Sequence, residues 1–362
     1  MKNTHKKRKV LPLVLATAIL ASPMAMSFSD HTAAAASSKF KIIEQPFRIE
    51  GLKKSIGTIN NDSSTYIALR SLNTALGLVT DYNKATQTVK ITGNGRLLEI
   101  NLKNQSITLN NQLIFGPPLI VQDNTTYLPL RFLLERMGYE ISYENDTKLI
   151  GMDKISENDL RIRSEVIGAD GDGKSLSVYY PVISGYENSE VQQKINAFLK
   201  QQADKHVADG SKEMNAAVQE NNKILAKDPK ATVRQPSLDG RYTVTANENG
   251  KLSLYVDYYI DMGGAHGITS RVPYTFDLTT GNLLSLKDVV EGNANYISII
   301  NNKINEQIKS RKLPLLTPFK TIEADRDYFL NHNGVVIYFT QYEYTSYAEG
   351  MPEFVIPYSN FK

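Results

Sequence analysis

Two stretches of the chain share one alternation of apolar and polar positions. Residues 64–91 and 125–150 each show a short strand pattern, an amphipathic segment with leucines at helical spacing, and two further alternating runs. The matched positions lie a constant 61 residues apart: Tyr66, Leu69, Arg70, Gly77 and Tyr82 recur as Tyr127, Leu130, Arg131, Gly138 and Tyr143. A constant offset indicates a duplication, so the pattern predicts two strand-helix-strand-strand units.

The repeated glycines and arginines have a structural interpretation. Gly77 and Gly138 follow the two predicted helices, where a residue in the left-handed conformation commonly ends a helix. Arg70 and Arg131 stand where these helices begin. We expect them to bond to the backbone of a neighbouring strand rather than to bind a ligand.

From about residue 156 the chain changes to longer alternating runs joined by glycine turns. The turn GADGDGK separates two predicted strands, and Asn249-Gly250 separates two more. A further pair of strands flanks a Thr-Gly turn near residue 280. Asp170 and Asp172 suggest a calcium loop, but Lys174 replaces the third acidic ligand, so a hairpin turn is the better interpretation.

Helical spacing predicts two longer helices in this second part. The first begins with a capping box formed by Ser189 and Gln192, breaks near the DGS sequence at 209–211 and then resumes. His206 lies on a polar stretch of this helix, so we expect it to be solvated. The second helix carries apolar residues four apart from Tyr296 to Ile308. An apolar strand, a tyrosine-rich loop and a closing strand follow.

These elements predict an α+β fold, in which the duplicated module precedes a larger domain of antiparallel sheet and packed helices. The predicted boundaries are 42–153 for the duplicated domain, 157–250 for a first α+β subdomain and 251–362 for a C-terminal domain.

The N-terminal residues have the order of a secretory signal peptide. Five lysines and arginines precede an uncharged apolar run from Val10 to Ser29, and an alanine-rich segment suited to cleavage ends near Ala36. We therefore expect residues 1–36 to be a leader and the remainder to lie outside the cytoplasm. The alternative is an uncleaved membrane anchor, because the apolar run approaches the length of a spanning helix.

Charge and cysteine content restrict the function. The leader holds five of the 41 basic and one of the 38 acidic residues, so the formal charge of +3 falls to about −1 without it. Bulk electrostatics then favour neither nucleic acid nor an anionic membrane. The absence of cysteine excludes disulfides, thiolate metal sites and a cysteine nucleophile.

The sequence around TTYLPLRFLLERMG resembles the N-terminal domain of copper amine oxidases, which is common in exported proteins of Gram-positive bacteria. The resemblance covers roughly residues 42–153 and implies a wall-associated or spacer module. It does not imply oxidase chemistry, which needs three metal histidines. Only His206, His266 and His332 follow the leader, at wide spacing and outside the repeats, so we expect neither a metal nor a cofactor.

A second resemblance covers about residues 157–361. The motifs GGAH, FDL-TG and YE-x-x-x-YA-x-G-x-P-EF are similar to the extracellular domain of RsiV-type anti-sigma factors, which bind lysozyme. The same region resembles the part of the peptidoglycan deacetylase PdaC that precedes its catalytic module. In this family a proline usually follows the histidine, whereas Gly267 stands here.

The stretch DMGGAHG raises the question of what His266 does. No second histidine stands at ligand spacing, and Gly263 and Gly264 indicate special backbone angles or close approach. We expect His266 to be a structural or ligand-contacting residue at a strand junction. The alternative places it at the rim of a binding surface with tyrosines, whose flat rings suit a sugar or a protein; the candidates are Tyr258, Tyr342, Tyr344 and Tyr347.

Three classes of function follow. The first is a secreted, non-enzymatic envelope protein that binds a lysozyme-like protein or peptidoglycan. The second is an anti-sigma factor, which we do not expect because only nine residues precede Val10. The third is an enzyme or accessory protein of cell-wall modification. A deacetylase is not expected without its Asp-Asp and H-x-x-x-H set, but a hydrolase could use Asp257, Asp261, Glu343 and Glu353 if they converge.

Overall fold

The structure is a computed structural model that describes residues 39–362. The predicted leader, residues 1–36, lies outside the described residues. Within the part that is described, no helix has both the length and the apolar character needed to cross a membrane.

The duplicated domain is built from short strands because alternating apolar residues pair into two sheets around one core. Its elements in chain order are β1 Ile42–Ile49, β2 Leu52–Asn61, β3 Ser64–Ala68, α1 Leu72–Leu76, β4 Val79–Asn83, β5 Thr88–Gly93, β6 Arg96–Asn101, β7 Ile107–Leu109, β8 Gln112–Ile114, β9 Ile120–Gln122, β10 Thr125–Pro129, α2 Leu130–Arg136, β11 Tyr139–Glu144 and β12 Leu149–Lys154. A 3-10 turn, Leu69–Ser71, precedes α1. Each sequence copy therefore forms the predicted strand, helix, strand and strand.

The two copies meet at their first strands. β3 and β10 are antiparallel, and Ile67 pairs with Leu128, its counterpart 61 residues later. A pairing centred on equivalent residues relates the two strands by a local two-fold axis. The hairpins that follow diverge, since β4–β5 starts a five-stranded sheet of order β4-β5-β6-β7-β8. β11–β12 instead joins the seven-stranded sheet of order β11-β12-β1-β2-β3-β10-β9.

The next sheet is formed by five long strands covered on one face by a helix. The elements are β13 Arg161–Gly171, β14 Lys174–Ser184, α3 Ser189–Lys227, β15 Ser237–Glu248, β16 Lys251–Asp261 and β17 Ile268–Asp277, in strand order β13-β14-β15-β16-β17. The GADGDGK segment is a two-residue hairpin turn at Asp172 and Gly173, both at positive φ. Asn249-Gly250 forms the other expected turn. A division at residue 250 falls within that turn, so the two expected subdomains share this sheet.

Helix α3 differs from the prediction in two respects. It runs without a break for 39 residues. Gly210 is buried where the helix approaches β15, and a Cβ there would stand 2.7 Å from Leu238 Cδ2. The glycine in DGS thus permits close packing and does not end the helix. The N-cap is Asn188, whose side chain accepts from the Val191 N–H, whereas Gln192 accepts from the Tyr186 N–H.

The C-terminal part adds a three-stranded sheet, which lies between two helices and the sheet β13–β17. Its elements are α4 Leu286–Val289, α5 Tyr296–Arg311, β18 Tyr328–Asn331, β19 Gly334–Tyr338 and β20 Glu353–Pro357, with 3-10 turns at Tyr347–Glu349 and Tyr358–Phe361. One face packs against α4 and α5 through Ile300, Ile304 and Phe354. On the other face Phe329 and Tyr338 pack with Tyr255 of β16. The fold is mixed α+β, as the sequence predicts.

Candidate functional site

Two loops meet at one end of the β16–β17 hairpin. The first, residues 262–267, connects these strands and carries the DMGGAHG motif. The second, residues 340–350, precedes β20 and is called the tyrosine loop below. His266 from the first loop lies with Tyr342 and Tyr347 from the second, and these three residues are called the aromatic cluster.

The rings of the aromatic cluster are stacked. The His266 and Tyr347 ring centroids are 4.1 Å apart with an interplanar angle of 27°. The centroid of the Tyr342 ring lies 6.3 Å from that of His266. His266 Nδ1 lies 2.9 Å from the Gly267 carbonyl oxygen, and its Nε2 lies 3.2 Å from the Tyr342 hydroxyl. His266 is exposed, as is Tyr342. The cluster therefore both ties the two loops together and presents aromatic surface to solvent.

The glycines around His266 have different roles. Gly263 has a φ of +82°, which few other residues adopt. Gly267 is buried against β16: a Cβ there would stand 2.4 Å from the Ile260 carbonyl oxygen and 2.5 Å from the Tyr259 ring. Its N–H donates to the Tyr259 hydroxyl at 3.0 Å. Gly267 thus fixes the chain directly after His266.

We expect Gly267→Ala to lower the free energy of unfolding by about 1–3 kcal/mol, because the added methyl group overlaps the backbone and ring of β16. The matched control is Gly264→Ala, since nothing lies within 4 Å of a Cβ at that position. Chemical denaturation followed by circular dichroism measures both. Equal losses in the two variants would contradict the role assigned to Gly267.

The tyrosine loop is held by Glu343. Its carboxylate accepts from Arg326 at 2.6 and 2.8 Å and from the Thr340 N–H at 2.8 Å. Burial disfavours the charged carboxylate, but the hydrogen bonds from Arg326 and Thr340 outweigh burial and lower the pKa of Glu343. The Leu316 N–H also donates to the Tyr344 carbonyl at 2.7 Å. These anchors position Tyr342 and Tyr347.

The lowered pKa of Glu343 predicts a pH dependence. A carboxyl whose pKa is lower in the folded state stabilises the fold above its unfolded pKa of about 4.3, and this stability is lost as the pH falls through the folded value. We expect Glu343→Gln to cost about 1–3 kcal/mol at pH 7 and progressively less on acidification. Denaturation of both proteins between pH 7 and pH 3 tests this. A difference that stays constant over this range would contradict it.

Two of the predicted tyrosines lie away from this surface. Tyr258 is buried in the sheet and stacks on His206 of α3, with ring centroids 4.0 Å apart. His206 is thus partly buried rather than solvated, and burial lowers its pKa. Tyr344 packs on Phe339 at 4.5 Å in the C-terminal core. We therefore leave Tyr258 and Tyr344 out of the candidate surface.

The repeat glycines and Arg131 lie as the sequence predicts, whereas the expected backbone bond of Arg70 is not found among residues 39–362. Gly77 and Gly138 have φ values of +68° and +85° at the ends of α1 and α2. Arg131 donates to the Ile141 carbonyl of β11 at 3.0 Å and to Glu135 one turn along the helix. Arg70 is exposed.

The four candidate carboxylates are each held by an arginine. Arg271 binds Asp257 through two hydrogen bonds of 2.8 and 2.9 Å and reaches Glu353 at 2.6 Å, so these two acids converge on one cation. Asp261 is held by Arg234 and Glu343 by Arg326. The sequence does not indicate that Arg271 joins Asp257 and Glu353. Its guanidinium lies 3.7 Å from the Tyr255 ring centroid, beneath β18 and β19.

The histidines do not form a metal-binding group within residues 39–362, where no set of three or more histidine or acidic side chains is arranged to hold an ion. His332 lies between two glutamates, with Nδ1 2.9 Å from Glu248 and Nε2 3.3 Å from Glu140. This contact joins β15 to β11 of the duplicated domain.

Three family models match successive parts of the chain. They are the copper amine oxidase N-terminal domain at residues 52–152, deacetylase PdaC at 169–269 and a protein of unknown function, DUF3298, at 287–359. The matches agree with both resemblances stated above. Successive parts of the chain are thus similar to the copper amine oxidase N-terminal domain, to PdaC and to DUF3298.

Among individual proteins, the chain is similar to anti-sigma-V factor RsiV of Bacillus subtilis (strain 168). The two are 26% identical over 212 residues, which cover 51% of this chain and 64% of the relative. Crystal structures of DUF3298 proteins from Bacteroides fragilis and Pseudomonas aeruginosa are each 16% identical to it, with TM-scores of 0.44 and 0.39. Each covers 56% of this chain and 93% of its own.

Proposed function

We propose that this chain is an extracytoplasmic, non-enzymatic binding protein of the bacterial envelope. In this proposal its PdaC and DUF3298 region recognises a lysozyme-like protein or peptidoglycan through the aromatic cluster. The observation that carries the proposal is the stack of exposed His266 and Tyr342 with partly buried Tyr347, held by two anchored loops. The similarity to RsiV and the leader-like N-terminus support it.

The aromatic cluster has the properties of a recognition surface. Tyrosine offers a large rigid ring with a hydroxyl and loses little conformational entropy on binding. The ion pair of Glu343 with Arg326 and the stacking on His266 fix these rings before a partner arrives. A preorganised surface costs less to order on association. Ile268, exposed at the start of β17, extends the apolar contact area beside His266.

The paired-carboxylate alternative receives less support from the geometry. A glycosidase needs one carboxylic acid with a raised pKa and a second free carboxylate. Here Asp257 and Glu353 share Arg271, which places a guanidinium between the two groups. Glu343, with its lowered pKa, is a poor proton donor at neutral pH. We therefore assign these acids to structure.

Calorimetric titration with hen lysozyme, and sedimentation with insoluble peptidoglycan, test the proposed function. We expect saturable binding to one of the two ligands, without release of sugar, acetate or peptide from the wall fraction. Binding to lysozyme identifies a protein partner, whereas binding to the sacculus alone identifies a glycan ligand. Absence of saturable binding to both, or turnover of the wall fraction, contradicts the proposal.

A further inference from the structure

A large cleft lies between the duplicated domain and the sheet β13–β17. Its volume is about 710 Å³, within the range of small-molecule sites. Apolar side chains of both sides and of the C-terminal part line it, among them Ile114, Phe115, Leu160, Val244, Phe329 and Met351. The cleft is distinct from the aromatic cluster, none of whose three residues lines it.

Most of the charged side chains lining the cleft are already paired. Three ion pairs lie in the lining itself, Arg96 with Glu157, Arg131 with Glu135 and Arg241 with Asp239, and Glu140 lies beside His332. Asp257 and Glu353, which also line the cleft, are held by Arg271. Paired charges of this kind add little net attraction for a charged ligand.

Arg136 is the lining arginine that forms no ion pair with a carboxylate of residues 39–362, although Glu135 lies next to it in the chain. It ends α2, where its Nη1 donates to the Phe132 carbonyl oxygen and its guanidinium lies 4.1 Å from the Phe132 ring centroid. The side chain is partly buried, and this burial lowers the pKa of Arg136. An arginine remains charged at neutral pH all the same, so a partly desolvated positive charge faces the cleft.

The equivalent position of the other repeat carries no arginine. The residue 61 positions earlier is Ala75, which packs against the core of the same domain. The first copy of the unit therefore folds with a methyl group where the second has a cation. Arg136 is partly desolvated without an ion pair in return, so its charge is available to a ligand in the cleft.

We propose that the cleft binds a small amphipathic ligand with a single carboxylate, which forms a charge-assisted pair with Arg136 while the apolar part contacts the lining. Arginine and carboxylate form strong, directional hydrogen bonds, and the lining supplies apolar area for the rest of the ligand. An aliphatic acid and the C-terminus of a short peptide both supply such a carboxylate. This inference goes beyond the proposed function and does not depend on it.

Titration calorimetry with two carboxylate probes tests the inference and distinguishes the two sources. The probes are octanoate and N-acetyl-leucyl-leucine, and each is compared with its neutral amide. We expect the unchanged protein to bind at least one carboxylate and to bind its amide roughly 10- to 100-fold more weakly. Arg136→Gln should weaken carboxylate binding by the same factor. Arg131→Gln is the matched control and should leave the affinity unchanged, because Arg131 is already paired.

Three results would overturn the inference. They are no saturable binding of either carboxylate, equal binding of a carboxylate and its amide, or an affinity that Arg136→Gln leaves intact. The comparison of acid with amide uses the unchanged protein, so it decides the question even if a variant folds poorly. Lysozyme or peptidoglycan binding by the aromatic cluster is measured separately, and its failure would not affect this result.

Discussion

Replacing Arg271 by alanine is expected to lower the free energy of unfolding by about 3–5 kcal/mol. The Arg271 side chain is 7% exposed, and it neutralises Asp257 and Glu353 while lying against the Tyr255 ring. Burial disfavours the charge of Arg271. The hydrogen bonds to Asp257, together with the attraction of Asp257 and Glu353, outweigh burial and raise the pKa of Arg271. Removal leaves two acids without their cation at the junction of two sheets.

Chemical denaturation followed by tyrosine fluorescence measures this loss, since the chain has 20 tyrosines and no tryptophan. Arg163→Ala is the matched control: it removes an ion pair with Glu165 on the same sheet, but both side chains are exposed. We expect a cost below about 1 kcal/mol there. Asp257→Ala should lower the free energy of unfolding much less when Arg271 is already alanine than when Arg271 is present, because the two side chains act as a pair. Equal effects of Arg271→Ala and Arg163→Ala would contradict the central position of Arg271.

Replacing Tyr342 and Tyr347 together by alanine is expected to weaken partner binding by at least about 30-fold. Anchor residues of an interface contribute about 2 kcal/mol or more when they are truncated, and tyrosine is enriched among them. Both rings lie against or beside His266, so the double variant removes most of the stacked surface. Their position in a surface loop leaves the cores intact. We therefore expect the melting temperature to change little while affinity falls.

The repeats provide a matched control for this experiment. Tyr82 and Tyr143 are 51% and 50% exposed, close to the 49% of Tyr342, but they lie in the duplicated domain. We expect the Tyr82→Ala and Tyr143→Ala double variant to bind the partner with unchanged affinity. If it loses binding and the loop variant does not, the recognition surface belongs to the duplicated domain.

Local patterns predicted much of this fold because they report on local energetics. The 61-residue repeat gave both strand-helix-strand-strand units, and the two-residue turns at Gly173 and Gly250 were correctly placed. The alternation of apolar and polar residues does not show which sheet each repeat hairpin joins, because that depends on pairing with strands distant in sequence. The break expected near Gly210 was wrong because a glycine in a helix can also serve close packing against a strand.

The candidate site was only partly predictable. The sequence indicated His266 as a candidate. It did not show that Tyr342 and Tyr347 stack on His266, or that Tyr258 faces helix α3. The packing of two loops distant in sequence decides the stacking, and the alternation of side chains along β16 decides the direction of Tyr258. The Thr269 N–H of β17, for example, donates to the Gln341 side chain and so holds the tyrosine loop beside this strand. Arg271 and Arg136 gave no sequence signal, since their meaning depends on which carboxylates tertiary structure brings near them.

Hydrogen-deuterium exchange of the chain with and without hen lysozyme tests the central claim most directly. The claim is that the two loops carrying the aromatic cluster form the recognition surface. We expect slower exchange in residues 262–268 and 340–350 when lysozyme is present, and no change in the duplicated domain. Protection confined to the duplicated domain, or exchange that lysozyme leaves unaltered throughout, would contradict this account.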